Sequence, residues 1–124
     1  MEHMVMDVPM DPYHYALRCI GGKWKMTILH TVFSCGKLRF NQILKALPVS
    51  EKVLSQQLKE LVRDGLVRRA VDADAYPPAI EYSLTDAGNR LIPVLEDLHA
   101  WSARQMDALG IPIDPGAGEN GGGA

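Results

Sequence analysis

The chain has 124 residues, room for one domain around a single modest core, and its 47% apolar and 23% charged residues are those of an ordinary globular protein. No run approaches the ~20 apolar residues needed to cross a bilayer, and Glu2 and Asp7 stand where an export signal carries basic residues, so a cytoplasmic protein without membrane contact is expected. The formal charge of −2 is unevenly spread: eight basic residues meet three acidic ones from Lys37 to Arg69, whereas seven acidic meet two basic from Asp72 to Asp107.

Residues 1–12 show no sustained periodicity and are expected to form a flexible arm. The first helical signal spans Tyr13 to about Ile20 and stops at Gly21 and Gly22. A second runs from about Lys23 to Phe33, with Trp24, Ile28, Leu29 and Val32 at helical spacing and Gly36 closing it. A third, Arg39 to Leu47, puts Phe40, Ile43, Leu44 and Leu47 on one side and ends at Pro48. Ser50 is a good N-cap for a fourth helix, Val49 can staple onto its first turn, and Gly65 supplies its stop.

In that fourth helix Leu54, Leu58, Leu61 and Val62 form the apolar stripe, and at 100° per residue Lys52, Gln56, Lys59 and Arg63 lie within about 30° of the opposite direction. Ser55 flanks them. The period then changes to that of strands in LVRRAVD and AIEYSL, joined by DADAYPP, which predicts a hairpin. Thr85 caps a last long helix in which Ala87, Leu91, Val94, Leu95, Leu98 and Trp101 recur at helical intervals, and Pro93 is expected to kink or locally unwind it. The domain is expected over residues 13–107, with a Gly- and Pro-rich disordered tail over 108–124.

This order is mainly α with a small β-hairpin, the layout of a winged helix-turn-helix with additional terminal helices. A major groove about 12 Å wide accepts one helix with a packed inner face and a polar or basic outer face. Ser50, Lys52, Ser55, Gln56 and Lys59 meet that demand, and Gln56 carries the paired donor and acceptor that can read adenine. Arg39 precedes them, and Arg68 and Arg69 make the first hairpin strand basic. Double-stranded DNA is therefore the expected partner; the alternative is a winged helix that docks on another protein.

An enzyme is not expected: there is no glycine phosphate loop, CxxC, HExxH or nucleophile elbow. His3, His14, His30 and His99 are scattered, so neither a metal nor another cofactor is expected. Cys19 and Cys35 read first as small buried hydrophobes, and as redox thiols only if a basic neighbour or helix N-terminus activates them.

From about Asp11 to Met106 the chain resembles the HxlR-type winged-helix regulators, relatives of the MarR group. The resemblance rests on IGGKW from Ile20, RFNQI from Arg39, SEKVLSQQLKEL from Ser50, DGLVRR from Asp64, PPAIEYSLTDAG from Pro77, and Trp101. It implies a transcription regulator, often a repressor, that binds a pseudo-palindromic operator as a homodimer through its terminal helices, here through Leu91, Leu95, Leu98 and Trp101. It also implies a response to a small-molecule effector or a redox or electrophile signal. Many members carry a Cys-Pro pair before the first helix, and the matching position here is Asp11, so the usual thiol is missing there.

Overall fold

A computed structural model describes residues 9–114; the expected arm and tail lie largely outside that range. Five helices and three strands follow one another as α1 (Pro12–Ile20), α2 (Lys25–Cys35), β1 (Lys37–Arg39), α3 (Phe40–Ala46), α4 (Glu51–Arg63), β2 (Val67–Asp72), β3 (Ala79–Leu84) and α5 (Asp86–Leu109). The strands form one antiparallel sheet in the order β1-β3-β2.

The hairpin thus has a third strand that the sequence does not announce. Lys37, Leu38 and Arg39 pair with Ser83, Tyr82 and Glu81, which takes Arg39 out of the expected third helix and makes it the residue before α3. Three residues with a single buried side chain carry too little alternation to register as a strand. Their pairing partner lies more than forty positions away.

The core is built from the stripes the periodicity marks on α2, α3 and α4, whereas on α5 it takes Ile92, outside the expected stripe, and leaves Val94, Leu98 and Trp101 exposed. Ile28, Leu29 and Val32 of α2, Ile43 of α3, and Leu54, Leu58 and Leu61 of α4 are all at most 1% exposed. Burying each such side chain contributes roughly 1.5–3 kcal/mol. From α5, Ile92 and Leu95 enter the same cluster, with Ala87 and Leu91 packed at its edge. Pro93 does not unwind α5: every residue from Asp86 to Leu109 is helical, two residues beyond the expected domain end at 107.

The junction between α4 and α5 is fixed by hydrogen bonds. Gly65, at φ 77°, ends α4 in a left-handed turn in which its N–H donates to Val62 and that of Leu66 to Leu61, both at 3.0 Å. The Thr85 hydroxyl donates to the Gly65 carbonyl at 2.6 Å and accepts from the Gly88 N–H at 3.1 Å, so one side chain caps α5 and ties it to the end of α4. Gly88 is buried against that turn, and a Cβ there would stand 2.3 Å from the Leu66 carbonyl oxygen.

Gly88→Ala is therefore expected to destabilise the protein by about 2–4 kcal/mol, although alanine is the better helix former, because a backbone atom cannot swing aside. Urea denaturation would show a lower midpoint at unchanged slope; an unchanged or raised midpoint contradicts the packing described.

Candidate nucleic-acid interface

α3 and α4 make the helix-turn-helix. The Leu47 N–H closes α3 on Ile43 at 3.2 Å, the Val49 N–H turns back to Leu47 at 2.8 Å, and Ser50 starts α4 by accepting from the Val53 N–H at 3.1 Å. With Leu54, Leu58 and Leu61 buried, α4 turns the other side of its surface to solvent: Lys52, Ser55, Gln56, Lys59 and Arg63 are exposed, as is Ser50 at its start.

The charge on that surface depends on where its carboxylates are spent. Glu60 accepts from the Lys25 ammonium at 2.6 Å, and Asp64 meets Arg18 at 3.4 Å and Arg63 at 3.0 Å. Lys25 holds the Glu60 carboxyl below the usual carboxylate range, with help from the Gln56 amide, and matches its charge. Asp64 in turn raises Arg63 above its ordinary value by hydrogen-bonding the guanidinium, which commits Arg63 to the protein itself. Among the described residues Lys52 and Lys59 enter no ion pair, and neither does the exposed Glu51 on the first turn, so the unmatched charge of α4 is positive by two against one.

Arg68 and Arg69 are both exposed on β2, an edge strand, and adjacent strand residues project from opposite sheet faces. Register puts Arg69 opposite Tyr82, on the face that also carries Leu38 and Val67. Arg68 falls on the other face, with Lys37 and Arg39, where Arg39 meets Asp72 at 3.5 Å. The two arginines thus flank the wing instead of forming one patch. At the wing tip Tyr76 is 99% exposed, and a cleft of about 550 Å³ separates the tip from Arg39 and Asn41.

Three features escape a reading of the sequence: the buried Lys25, its pairing with Glu60, and the sharing of Asp64 by Arg18 and Arg63. Lys25 and Arg18 lie far from α4 in the chain, and no local period marks such a pairing. Only the sign of the segment, basic with three acids inside it, hints that the acids have partners elsewhere.

The HxlR-like helix-turn-helix family model matches residues 19–109. The chain belongs to that family. This HxlR-like chain is 39% identical over 104 residues to the HTH-type transcriptional regulator BH0655 of Halalkalibacterium halodurans, covering 83% of this chain and 91% of the relative. It is 40% identical over 95 residues to YdzF of Bacillus subtilis, another HTH-type transcriptional regulator, covering 76% and 86%. Among solved structures, the reduced form of the redox regulator HypR superposes with a TM-score of 0.72 at 37% identity, covering 81% of this chain and 98% of that one. A MarR-family regulator from Enterococcus faecalis gives 0.70 at 31% identity, with 83% and 96% covered.

The HxlR-like chain is a winged-helix DNA-binding transcriptional regulator, and the protein-docking alternative is set aside. No helix among the described residues is long and apolar enough to cross a membrane. Asp11 caps α1: its carboxylate accepts from the His14 N–H at 3.3 Å, with Pro12 beginning the helix. Cys19 is a free thiol 4% exposed in the core, and its contact with Tyr15 is the chief cause that pushes the Tyr15 phenol above its ordinary range. Cys35, expected as a small buried hydrophobe, is instead a free, exposed thiol, because it ends α2 on the last turn before Gly36.

The four residues expected at a dimer contact divide. Leu95 is 6% exposed and belongs to this chain's own core, and Leu91 is half-buried beside it. Leu98 and Trp101 are exposed, as are Val94 and Leu109 on the same helix and Tyr13 and Leu17 on α1.

Proposed function

We propose that this regulator acts as a homodimer on a pseudo-palindromic operator, each protomer placing α4 in the major groove and its wing beside the adjacent backbone. The observation that carries this is the cationic surface of α4, with Lys52 and Lys59 in no ion pair among the described residues and Glu60 and Asp64 matched by Lys25, Arg18 and Arg63. Ser50, Lys52, Ser55, Gln56 and Lys59 contact DNA from the helix, and Arg39, Arg68 and Arg69 contact phosphates from the wing region.

Dimerisation is supported by the exposed Leu98 and Trp101, which leave apolar surface on α5 that a second copy would cover. A two-fold pair of such helices sets two α4 helices about one DNA turn, roughly 34–36 Å, apart. The releasing signal is a small molecule, an oxidant or an electrophile. The first is supported by a cleft of about 500 Å³ between α2 and α5, lined by Met26, Thr27, His30, Leu98 and His99. The redox name of HypR supports the others, through Cys19 or Cys35.

Selection of bound fragments from the source genome should return sites with two related half-sites about one turn apart, bound more weakly as salt rises. Single half-sites bound by a monomer in sedimentation would defeat the dimer model, and salt-insensitive binding would defeat the phosphate-driven one.

A further inference from the structure

Lys25 is a charged residue buried to 5% exposure. Its ammonium donates to Glu60 Oε1 at 2.6 Å and, at 3.4 Å, to the Arg18 carbonyl at the end of α1. The other carboxylate oxygen, Glu60 Oε2, accepts from Gln56 Nε2 at 2.7 Å. A chain of charge-assisted contacts therefore runs from the buried start of α2 through Glu60 to the outward side chain of Gln56, one turn earlier on α4.

This chain decides which way the Gln56 amide points. An ionised carboxylate can only accept, so the amide must turn its nitrogen to Glu60. Glu60 is a carboxylate at neutral pH in any case, and Lys25, 2.6 Å from Oε1, fixes where that carboxylate stands. One of the two amide N–H groups is then committed, and the carbonyl oxygen and the remaining N–H share the free edge. In the major groove adenine offers an N6 donor and an N7 acceptor, which fit that edge; guanine offers acceptors at both O6 and N7 and needs two donors. A free glutamine can supply both N–H groups to guanine, and a clamped one cannot.

We propose that Lys25 and Glu60 are positioning residues that clamp the Gln56 amide so that it accepts adenine and rejects guanine at one position of each half-site. The proposal rests on α4 being the recognition helix. Stability alone gives little reason for the buried ammonium, since an apolar side chain of similar volume commonly serves as well or better in such a place.

The test is selection from randomised duplexes by the full chain, followed by affinities for operators carrying adenine or guanine at the position Gln56 governs. The wild-type protein should prefer adenine by about 10-fold or more, as expected of one bidentate base contact. Gln56→Ala should abolish that preference. Glu60→Ala, and the pair Lys25→Met with Glu60→Ala, which removes both charges if the single change impairs folding, should keep the other operator preferences. In both, the adenine-to-guanine ratio should fall to about 3-fold or less. In the Gln56→Ala background, Glu60→Ala should alter no base preference.

A full adenine preference in either clamp variant overturns the proposal, as does a base preference that shifts with Glu60 when Gln56 is already absent. Gln56→Ala leaving every preference intact also overturns it. A wild-type protein that selects no sequence would instead defeat the reading of α4 as the recognition helix.

Discussion

Replacing Lys52 and Lys59 together by alanine is expected to lower the affinity for operator DNA about a thousandfold at 0.15 M salt and to leave the fold untouched. Both lysines are exposed and enter no ion pair among the described residues, so truncation leaves no carboxylate unmatched. Surface changes of this kind shift stability by less than about 0.5 kcal/mol. An exposed ammonium on a phosphate contributes about 1 kcal/mol, below the range of sheltered charged hydrogen bonds. A dimer has four such contacts, about 4 kcal/mol in all, near a thousandfold.

The salt dependence gives a sharper reading than the affinity. Each phosphate contact releases counterions worth a slope of about 0.9 in log K against log salt, so the slope should fall by about 3.6. Filter binding or fluorescence anisotropy at several salt concentrations measures it. An unchanged slope would mean that these two lysines do not meet phosphate, however the affinity changes.

Charging the exposed face of α5 should have an effect of similar size on assembly. Leu98 is 39% and Trp101 57% exposed in the single chain, so Leu98→Glu with Trp101→Glu is well tolerated by the monomer. In a two-fold interface each position occurs twice, and a tryptophan anchor commonly carries 2 kcal/mol or more. The double variant should sediment as a folded monomer at micromolar concentration and lose binding to the full operator while retaining weak half-site binding. Leu95→Glu would unfold the chain instead, since Leu95 packs into its own core. A dimer that survives the Leu98 and Trp101 changes places the interface elsewhere.

The different fates of Leu95 and Leu98 show where a helical stripe stops being informative. Both fall on the apolar side of α5, and periodicity places them together. Whether such a side chain fills its own core or waits for a partner depends on where α2 stops covering α5. The same limit applies to β1, whose three residues have no signal apart from their pairing with β3. It applies also to Arg39, which periodicity assigns to the third helix and which the sheet claims.

For α4 the sequence was a sufficient guide to the outline. Ser50 caps it, Gly65 ends it, the leucines at 54, 58 and 61 are buried, and the polar surface opposite them is exposed. The polar contacts beneath that surface are a different matter. Gln56 reads as a free amide, and its tie to Glu60 becomes clear only when α2 brings Lys25 against the helix.

The amino-acid order by itself determined the order of the helices, the hairpin, the buried face of α4 and the family, because caps, glycines and apolar periods act within a few residues of one another. Only the tertiary structure decided which charges on α4 are free, which apolar residues of α5 remain for a partner, and why Gly88 has no room for a Cβ. Those outcomes depend on distances between groups remote in the chain, and no local pattern encodes a distance.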